Sequence, residues 1–148
     1  MADKEFEKVV EVILTKYAET PLRKRWEEAI SFGTGAGALA HWIRDSEDVV
    51  NIVWLSPTSI RDVTWVPTLN QAIFNFLPLR NITSIEVREG ADIGKLFKYG
   101  VKGNLMVRML CIRDTGDLAW IADGELQARE LKVFLSKVLE AHSKAIRL

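Results

Sequence analysis

The first 32 residues of the chain carry apolar residues at helical spacing on an otherwise polar background. One apolar stripe runs from Asp3 to about Glu19 and consists of Phe6, Val9, Val10, Ile13, Leu14 and Tyr17. Thr20 followed by Pro21 is typical of a helix start, so a short second helix is predicted from there to the glycine-rich segment 33–37. These two helices form a predicted N-terminal extension over residues 1–32.

From residue 38 the period becomes alternating, and turn residues divide the chain into short apolar segments that are typical of β-strands. The predicted strands cover residues 38–44, 49–55, 59–66, 71–77, 82–88, 95–101, 105–113 and 117–122. The separators at 45–48, 56–58 and 114–116 are too short for helical crossovers. We therefore predict that neighbouring strands pair antiparallel.

Alternation within the strands indicates which side chains face a core. In segment 105–113 the core-facing set is predicted to be Leu105, Val107, Met109 and Cys111. In segment 82–88 the predicted dry face consists of Thr83, Ile85 and Val87. A final helix should cover the sheet with an apolar stripe of Ala128, Leu131, Phe134, Leu135, Val138 and Leu139, and Asp123 is its predicted cap.

Two segments carry a resemblance to a known family. In residues 76–90 an apolar-Pro-apolar step, Leu77-Pro78-Leu79, leads into a strand with Ile82 and Ile85. This stretch resembles the middle of bacterial pleckstrin-homology-like and GRAM-like domains, and residues 50–60 are similar to their early hairpin. The resemblance covers residues 38–142.

This resemblance implies an α+β fold, namely a partly open, antiparallel barrel of seven strands that the C-terminal helix plugs at one end. It also implies a non-catalytic binding or assembly module. The two N-terminal helices are additional to the family pattern, and so is one of the eight predicted strands. Either 38–44 or 95–101 is therefore expected not to be a strand. We predict one domain over residues 1–148, with the barrel and its helix at 38–142.

Composition excludes several classes of partner. Twenty Lys and Arg balance twenty Asp and Glu, so nucleic acid is not an expected partner. The first predicted helix carries five acidic and three basic residues, which disfavours an anionic membrane and favours packing on protein. No apolar run reaches the roughly 20 residues of a membrane span, and the N-terminus does not resemble a signal peptide. A single cysteine, Cys111, favours the reducing cytoplasm.

No residue pattern predicts a catalytic, metal or cofactor site. The glycine-rich segment 33–37 follows a helix and lacks the Gly-Lys-Ser/Thr ending, so it is predicted to be a hinge instead of a phosphate loop. His41 and His142 have no nearby Cys or second His; we expect a strand-face His41 and a solvated His142. Cys111 lies in an apolar run and is predicted to be an inert core thiol.

The candidate interaction residues are aromatic and basic. Trp65, beside Pro67, is predicted to be an exposed recognition anchor, and Trp26 is the second candidate. Phosphoinositide binding is disfavoured, because the early turn at 45–48 is acidic and the turn at 56–59 is uncharged. Members of the resembled family hold phosphates with Lys and Arg in these turns.

Two functions remain open from the sequence. The first is a non-enzymatic module that binds a protein partner or itself. The second is a small-ligand-binding protein or enzyme with a pocket between the helices and the sheet, in which Arg61, Arg80 or Arg108 would clamp an anion.

Overall fold

The computed structural model describes residues 39–66, 71–91, 93, 101–111 and 118–146. These residues fall into two compact units, one that ends at Phe76 and one that begins at Leu77. Several predicted features lie outside the described residues: both N-terminal helices, Trp26, the segment 33–37, residues 95–100 of one predicted strand and the turn 114–116. The single-domain organisation stays a prediction.

The first unit contains a four-stranded antiparallel sheet, except for Leu77 and Pro78, the last two residues of its fourth strand. Its strands are β1 (Ala40–Asp45), β2 (Val50–Leu55), β3 (Ser59–Val66) and β4 (Gln71–Pro78), in the order β1-β2-β3-β4. Asp45 pairs with Val50, and Leu55 pairs with Ile60, so each connection is a tight turn. Ser56 closes the second turn, because its hydroxyl accepts the backbone N–H of Ser59 at 3.0 Å. The predicted strand 38–44 is therefore a strand, β1.

Strand β2 is an inner strand of the four-stranded sheet. All six of its residues are buried, although side chains alternate between the two faces of a sheet. Burial on both faces explains why the sequence of β2 is a nearly continuous apolar run.

The second unit contains a three-stranded antiparallel sheet and a helix. A short 3-10 turn (Leu79–Asn81) precedes β5 (Ile82–Glu89), which is followed by β6 (Leu105–Cys111), β7 (Leu118–Ala122) and helix α1 (Glu125–Ile146). The strand order is β5-β6-β7. The α+β class and the antiparallel pairing are confirmed, and the described strands form two separate hydrogen-bonded sheets. Among the described residues, no helix has both the length and the apolar character that crossing a bilayer requires.

Helix α1 packs on one face of this sheet. The Trp120 ring of β7 meets the Phe134 ring edge-on, with 5.6 Å between centroids and 74° between planes. The buried residues of α1 are Leu131, Phe134, Val138, Ala141 and Ala145. The predicted stripe is thus correct at its centre, but Leu139 is 48% exposed, and the small residues Ala141 and Ala145 extend the buried face instead.

The start of α1 differs from the prediction. Gly124 lies directly before the first helical residue, has φ +91°, and accepts the Ala128 N–H at 3.0 Å. This positive φ favours glycine. The predicted cap Asp123 lies one residue earlier, and its backbone N–H donates to Gln127 Oε1 at 2.9 Å.

The strand-face predictions are partly wrong. Leu105, Val107 and Met109 are buried as predicted, but Met106 is buried too, and Cys111 is only half-buried. Thr83 and Val87 of β5, which were predicted to be buried, are exposed. At Thr83 a register shift interrupts the pairing of β5 with β6, and β5 is the outer strand of its sheet. The alternation of apolar and polar residues therefore shows which side chains share a face, but not whether that face is buried.

Phe134→Ala should lower the free energy of unfolding by about 3–5 kcal/mol, because it removes the ring that packs on Trp120 and leaves a cavity. Urea denaturation followed by Trp fluorescence measures this change. The matched control is Val133→Ala, next in the chain but 57% exposed, for which we expect a change within about 0.5 kcal/mol. Equal effects of the two substitutions would contradict the packing of α1 described above.

Candidate functional site

The predicted aromatic anchor is not at the surface. Trp65 lies on β3 and is 5% exposed, so the prediction of an exposed Trp65 is wrong. The neighbouring proline suggested a strand break, but β3 continues to Val66, and its side chains are almost all buried. Trp26, the second candidate, lies outside the described residues.

In the first unit Arg61 contacts an exposed aromatic residue other than Trp65, namely Phe76. Its guanidinium carbon lies 5.1 Å from the ring centroid of Phe76, which is within cation–π distance. Phe76 is an exposed side chain, whereas Arg61 is half-buried. The sequence made Arg61 one of three candidate residues for an anion clamp, but in the structure its guanidinium group lies over an aromatic ring.

The other two predicted clamp residues belong to the second unit. Arg108 lies across the β5–β6 ladder from Glu86, and its terminal nitrogen is 4.0 Å from the Glu86 carboxylate. The same carboxylate is 2.7 Å from Arg88 Nε. Arg80 is exposed in the 3-10 turn. Because Glu86 already balances part of the charge of Arg108, Arg108 makes a weak anion clamp.

The first unit contains two buried polar clusters that the sequence did not predict. Arg44 is 1% exposed and donates to Ser46 Oγ at 3.0 Å and to the Asp48 carboxylate at 3.1 Å, within the turn between β1 and β2. In the second cluster Asn51 Nδ2 donates to Thr64 Oγ1, which donates to Asp62 Oδ1, both at 2.7 Å. These bonds satisfy polar groups that burial would otherwise penalise.

The two histidines and the cysteine lie in three different elements, β1, α1 and β6. His41 is exposed on β1, a strand-face position as predicted. His142 is half-buried on α1 and bound to a backbone carbonyl, so the prediction of a solvated His142 is wrong. The Cys111 thiol contacts the Met109 carbonyl at 3.9 Å. Within the part of the chain that the structure describes, no three His, Cys, Asp or Glu side chains are grouped as metal ligands would be.

Helix α1 reaches both ends of strand β5. Lys132 forms an ion pair with Glu89, the last residue of β5. Near the other end of the helix, His142 Nε2 lies 3.1 Å from the carbonyl oxygen of Ile82, the first residue of β5. A carbonyl only accepts, so Nε2 carries the proton in this contact. The axis of α1 therefore runs antiparallel to β5.

The residues between these two contacts form an apolar strip. Positions 132, 135, 139 and 142 are spaced three or four apart and share one side of the helix. On β5, alternation places Ile85 and Val87 on the same face as Glu89. Ile85 and Leu135 are half-buried, whereas Val87 is 45% exposed and Leu139 is nearly half exposed. We call Ile85, Val87, Leu135 and Leu139 the β5–α1 strip.

One row of side chains across the sheet shows why the strip is open. Val87 pairs with Val107, and Val107 pairs with Trp120, so the three share one face. Val107 and Trp120 are fully buried, whereas Val87 is not. Helix α1 thus covers the β6 and β7 positions of this row and leaves the β5 position accessible.

The backbone of β5 also faces outward along this strip. The Gly90 N–H donates to the Asn104 carbonyl at 3.0 Å, which makes Gly90 a hydrogen-bonded partner of the neighbouring chain segment. Alternate residues of an antiparallel strand point their amides the other way. The N–H and C=O groups of Ile85, Val87 and Glu89 therefore point away from β6, on the side where the described sheet has no further strand.

A groove lies at the far end of β5. Its volume is about 670 Å³, and Glu89, Gly90 and Asn104 line it from the sheet, with Glu125, Arg129 and Lys132 from α1. Asn104 Oδ1 accepts the Gly124 N–H at 3.2 Å and so ties the start of β6 to the start of the helix. Two acidic and two basic side chains share the groove, so it has no single sign of charge.

Comparisons of this chain with protein-family models, with curated proteins and with solved structures found no match.

Thr64→Val should lower the free energy of unfolding by about 1–3 kcal/mol, because the buried Asn51 amide loses its acceptor and Asp62 loses a hydroxyl donor. Thermal or urea unfolding measures this loss. Thr58→Val, at an exposed turn position, is the matched control and should change stability by less than about 0.5 kcal/mol. An unchanged stability of Thr64→Val would show that this cluster contributes nothing net.

Proposed function

We propose that this chain is a non-enzymatic, pleckstrin-homology-like module that binds an extended protein segment or assembles with itself. The β5–α1 strip carries the proposal. Val87 and Leu139 expose apolar surface beside a strand edge whose amides point outward. Exposed apolar surface next to an open strand edge is typical of an interaction site or of an aggregation hazard.

The order of elements supports the pleckstrin-homology-like part of the proposal. The described chain has a four-stranded antiparallel sheet, then a three-stranded one, then a C-terminal helix. Seven antiparallel strands followed by a C-terminal helix agree with what the sequence resemblance implies, which is a partly open barrel of seven strands with a final helix. The barrel is part of the proposal.

The chemistry of the strip favours an extended segment as its occupant. A strand that adds to β5 would bond to the outward amides of Ile85, Val87 and Glu89, and would place every second side chain over the apolar surface. The ion pair of Lys132 with Glu89 and the contact of His142 with Ile82 mark the two ends of the site. A protein segment satisfies both the backbone and the apolar part of this surface.

Two other partners are disfavoured in this proposal. The β1–β2 turn is acidic, and its Asp48 is engaged with Arg44. In the β2–β3 turn the hydroxyls of Ser56 and Ser59 bond to each other at 2.8 Å. These turns offer little to a phosphoinositide headgroup. Equal numbers of acidic and basic residues disfavour nucleic acid, and the presence of a single cysteine, Cys111, suits the reducing cytoplasm.

A photo-crosslinking amino acid in place of Leu139 should trap a protein adduct in the cells where this chain functions, because that side chain lies in the strip. Val87→Asp, across the strip, should abolish the adduct by introducing a charge into an apolar contact. The matched control is Val133→Asp, an exposed position on another side of α1, which should leave the adduct unchanged. The mass of the adduct separates a second copy from another protein. No adduct at position 139, or equal loss with both aspartates, would contradict the proposal.

The groove at the far end of β5 supports the alternative function, a small-ligand-binding protein or enzyme. Its volume of about 670 Å³ lies in the range of ligand pockets. Arg129 and Lys132 lie along its wall, whereas the predicted Arg80 and Arg108 are not among its lining residues. In this alternative Arg129 and Lys132 would take the role that the sequence assigned to Arg61, Arg80 or Arg108.

If this alternative is correct, one or more anionic metabolites should raise the melting temperature in a thermal-shift screen. At 100 times the dissociation constant, a ligand stabilises the folded state by about 2.7 kcal/mol, which corresponds to a shift of several degrees. Arg129→Glu should abolish the shift, and Lys144→Glu, at the exposed distant end of α1, should preserve it. The absence of any shift would refute the alternative.

A further inference from the structure

We propose that two copies of this chain pair through their β5 strands, antiparallel and around a two-fold axis at Val87. The inference rests on the protein-binding function proposed above and names its partner as a second copy. It follows from three observations on β5: the direction of its backbone groups, the order of its charges and the position of its apolar side chains.

The backbone groups restrict which register is available. The amides of Ile85, Val87 and Glu89 point away from β6 and are suitably spaced for a further strand. At the start of β5 the carbonyl of Ile82 is already engaged by His142. A pairing centred on Val87 uses residues 84–90 and leaves Ile82 with its present partner.

The charges of β5 are self-complementary in this register. Val87 faces its own counterpart, so Arg88 of one copy lies opposite Glu86 of the second copy, and the reverse pair forms as well. Glu86 and Arg88 already form an ion pair within one chain, at 2.7 Å, and are 31% and 49% exposed, so the pairs across the axis would join two such ion pairs into one cluster of four charges. A register centred on Glu86 instead would place two carboxylates opposite each other, and directly opposed like charges destabilise a sheet.

The same two-fold axis covers the apolar strip. An axis perpendicular to the sheet keeps the two helices on the same face, so Val87 and Leu139 of one copy would lie beside those of the second copy. The exposed apolar side chains would then bury one another. The joined sheet would have six strands, in the order β7-β6-β5-β5-β6-β7, a common size for a sheet. Such an isologous interface uses one patch twice.

Analytical ultracentrifugation of the full chain from about 1 to 500 µM tests this pairing. The natural sequence should show a monomer–dimer equilibrium. Val87→Pro should weaken dimerisation by roughly tenfold or more, because it removes an outward N–H that the β5–β6 ladder does not use. Leu126→Lys, an exposed apolar position of α1 outside the strip, is the control and should leave the dissociation constant unchanged. Circular dichroism verifies that each variant is folded.

A charge exchange gives a second test that does not depend on proline. Arg88→Glu should weaken dimerisation by roughly tenfold, since it opposes two pairs of carboxylates across the axis. Adding Glu86→Lys in the same chain should restore most of the affinity by recreating opposite charges. A double variant as weak as the single one would overturn the proposed register.

The outcomes separate this pairing from the proposed function on which it rests. A strict monomer that still forms an adduct with another protein at position 139 would refute the pairing and support the binding module. A dimer that is unaffected by both Val87→Pro and Arg88→Glu would refute pairing through β5 and leave assembly through another surface. A strict monomer with no adduct at position 139 would refute both.

Discussion

The packing of α1 on the three-stranded sheet determines which surface of the second unit remains open. Phe134 and Trp120 fix the helix over β6 and β7, and the small residues Ala141 and Ala145 continue the buried face. A helix about 10 Å wide cannot cover three strands that lie nearly 5 Å apart to the same extent. The outermost strand on the uncovered side keeps its apolar side chains partly exposed, and the β5–α1 strip results from this mismatch in width.

The two ends of β5 are protected, and its middle is not. The ion pair of Lys132 with Glu89 and the contact of His142 with Ile82 join the helix to the strand at either end. Natural proteins commonly protect open strand edges with charge or with a covering element, because such edges recruit other chains. Here charged and apolar residues alternate along β5, which permits a specific partner while it disfavours indiscriminate aggregation.

The first unit buries several polar groups in a sheet whose other residues are mostly apolar. Arg44 and Asp62 are both 1% exposed, and side-chain hydrogen bonds connect each of them to neighbours on the same sheet or turn. Such groups destabilise a fold when they are left unsatisfied and select one strand register when they are satisfied. The link from Asn51 through Thr64 to Asp62 therefore specifies the pairing of β2 with β3, whose apolar residues alone would tolerate a shift.

The sequence by itself determined the seven described strands, their antiparallel pairing and the final helix, because periodicity and turn length are local properties. Strand β3 has the predicted bounds 59–66, and β1, β2 and β5 differ by one or two residues at their ends. Burial was not predictable at Trp65, Val87, Leu139 or His142, since it depends on which element covers a face. The outward β5 edge and the buried polar links likewise appear only when distant segments meet. Alternation tells which side chains share a face, and only the tertiary packing decides whether that face is covered.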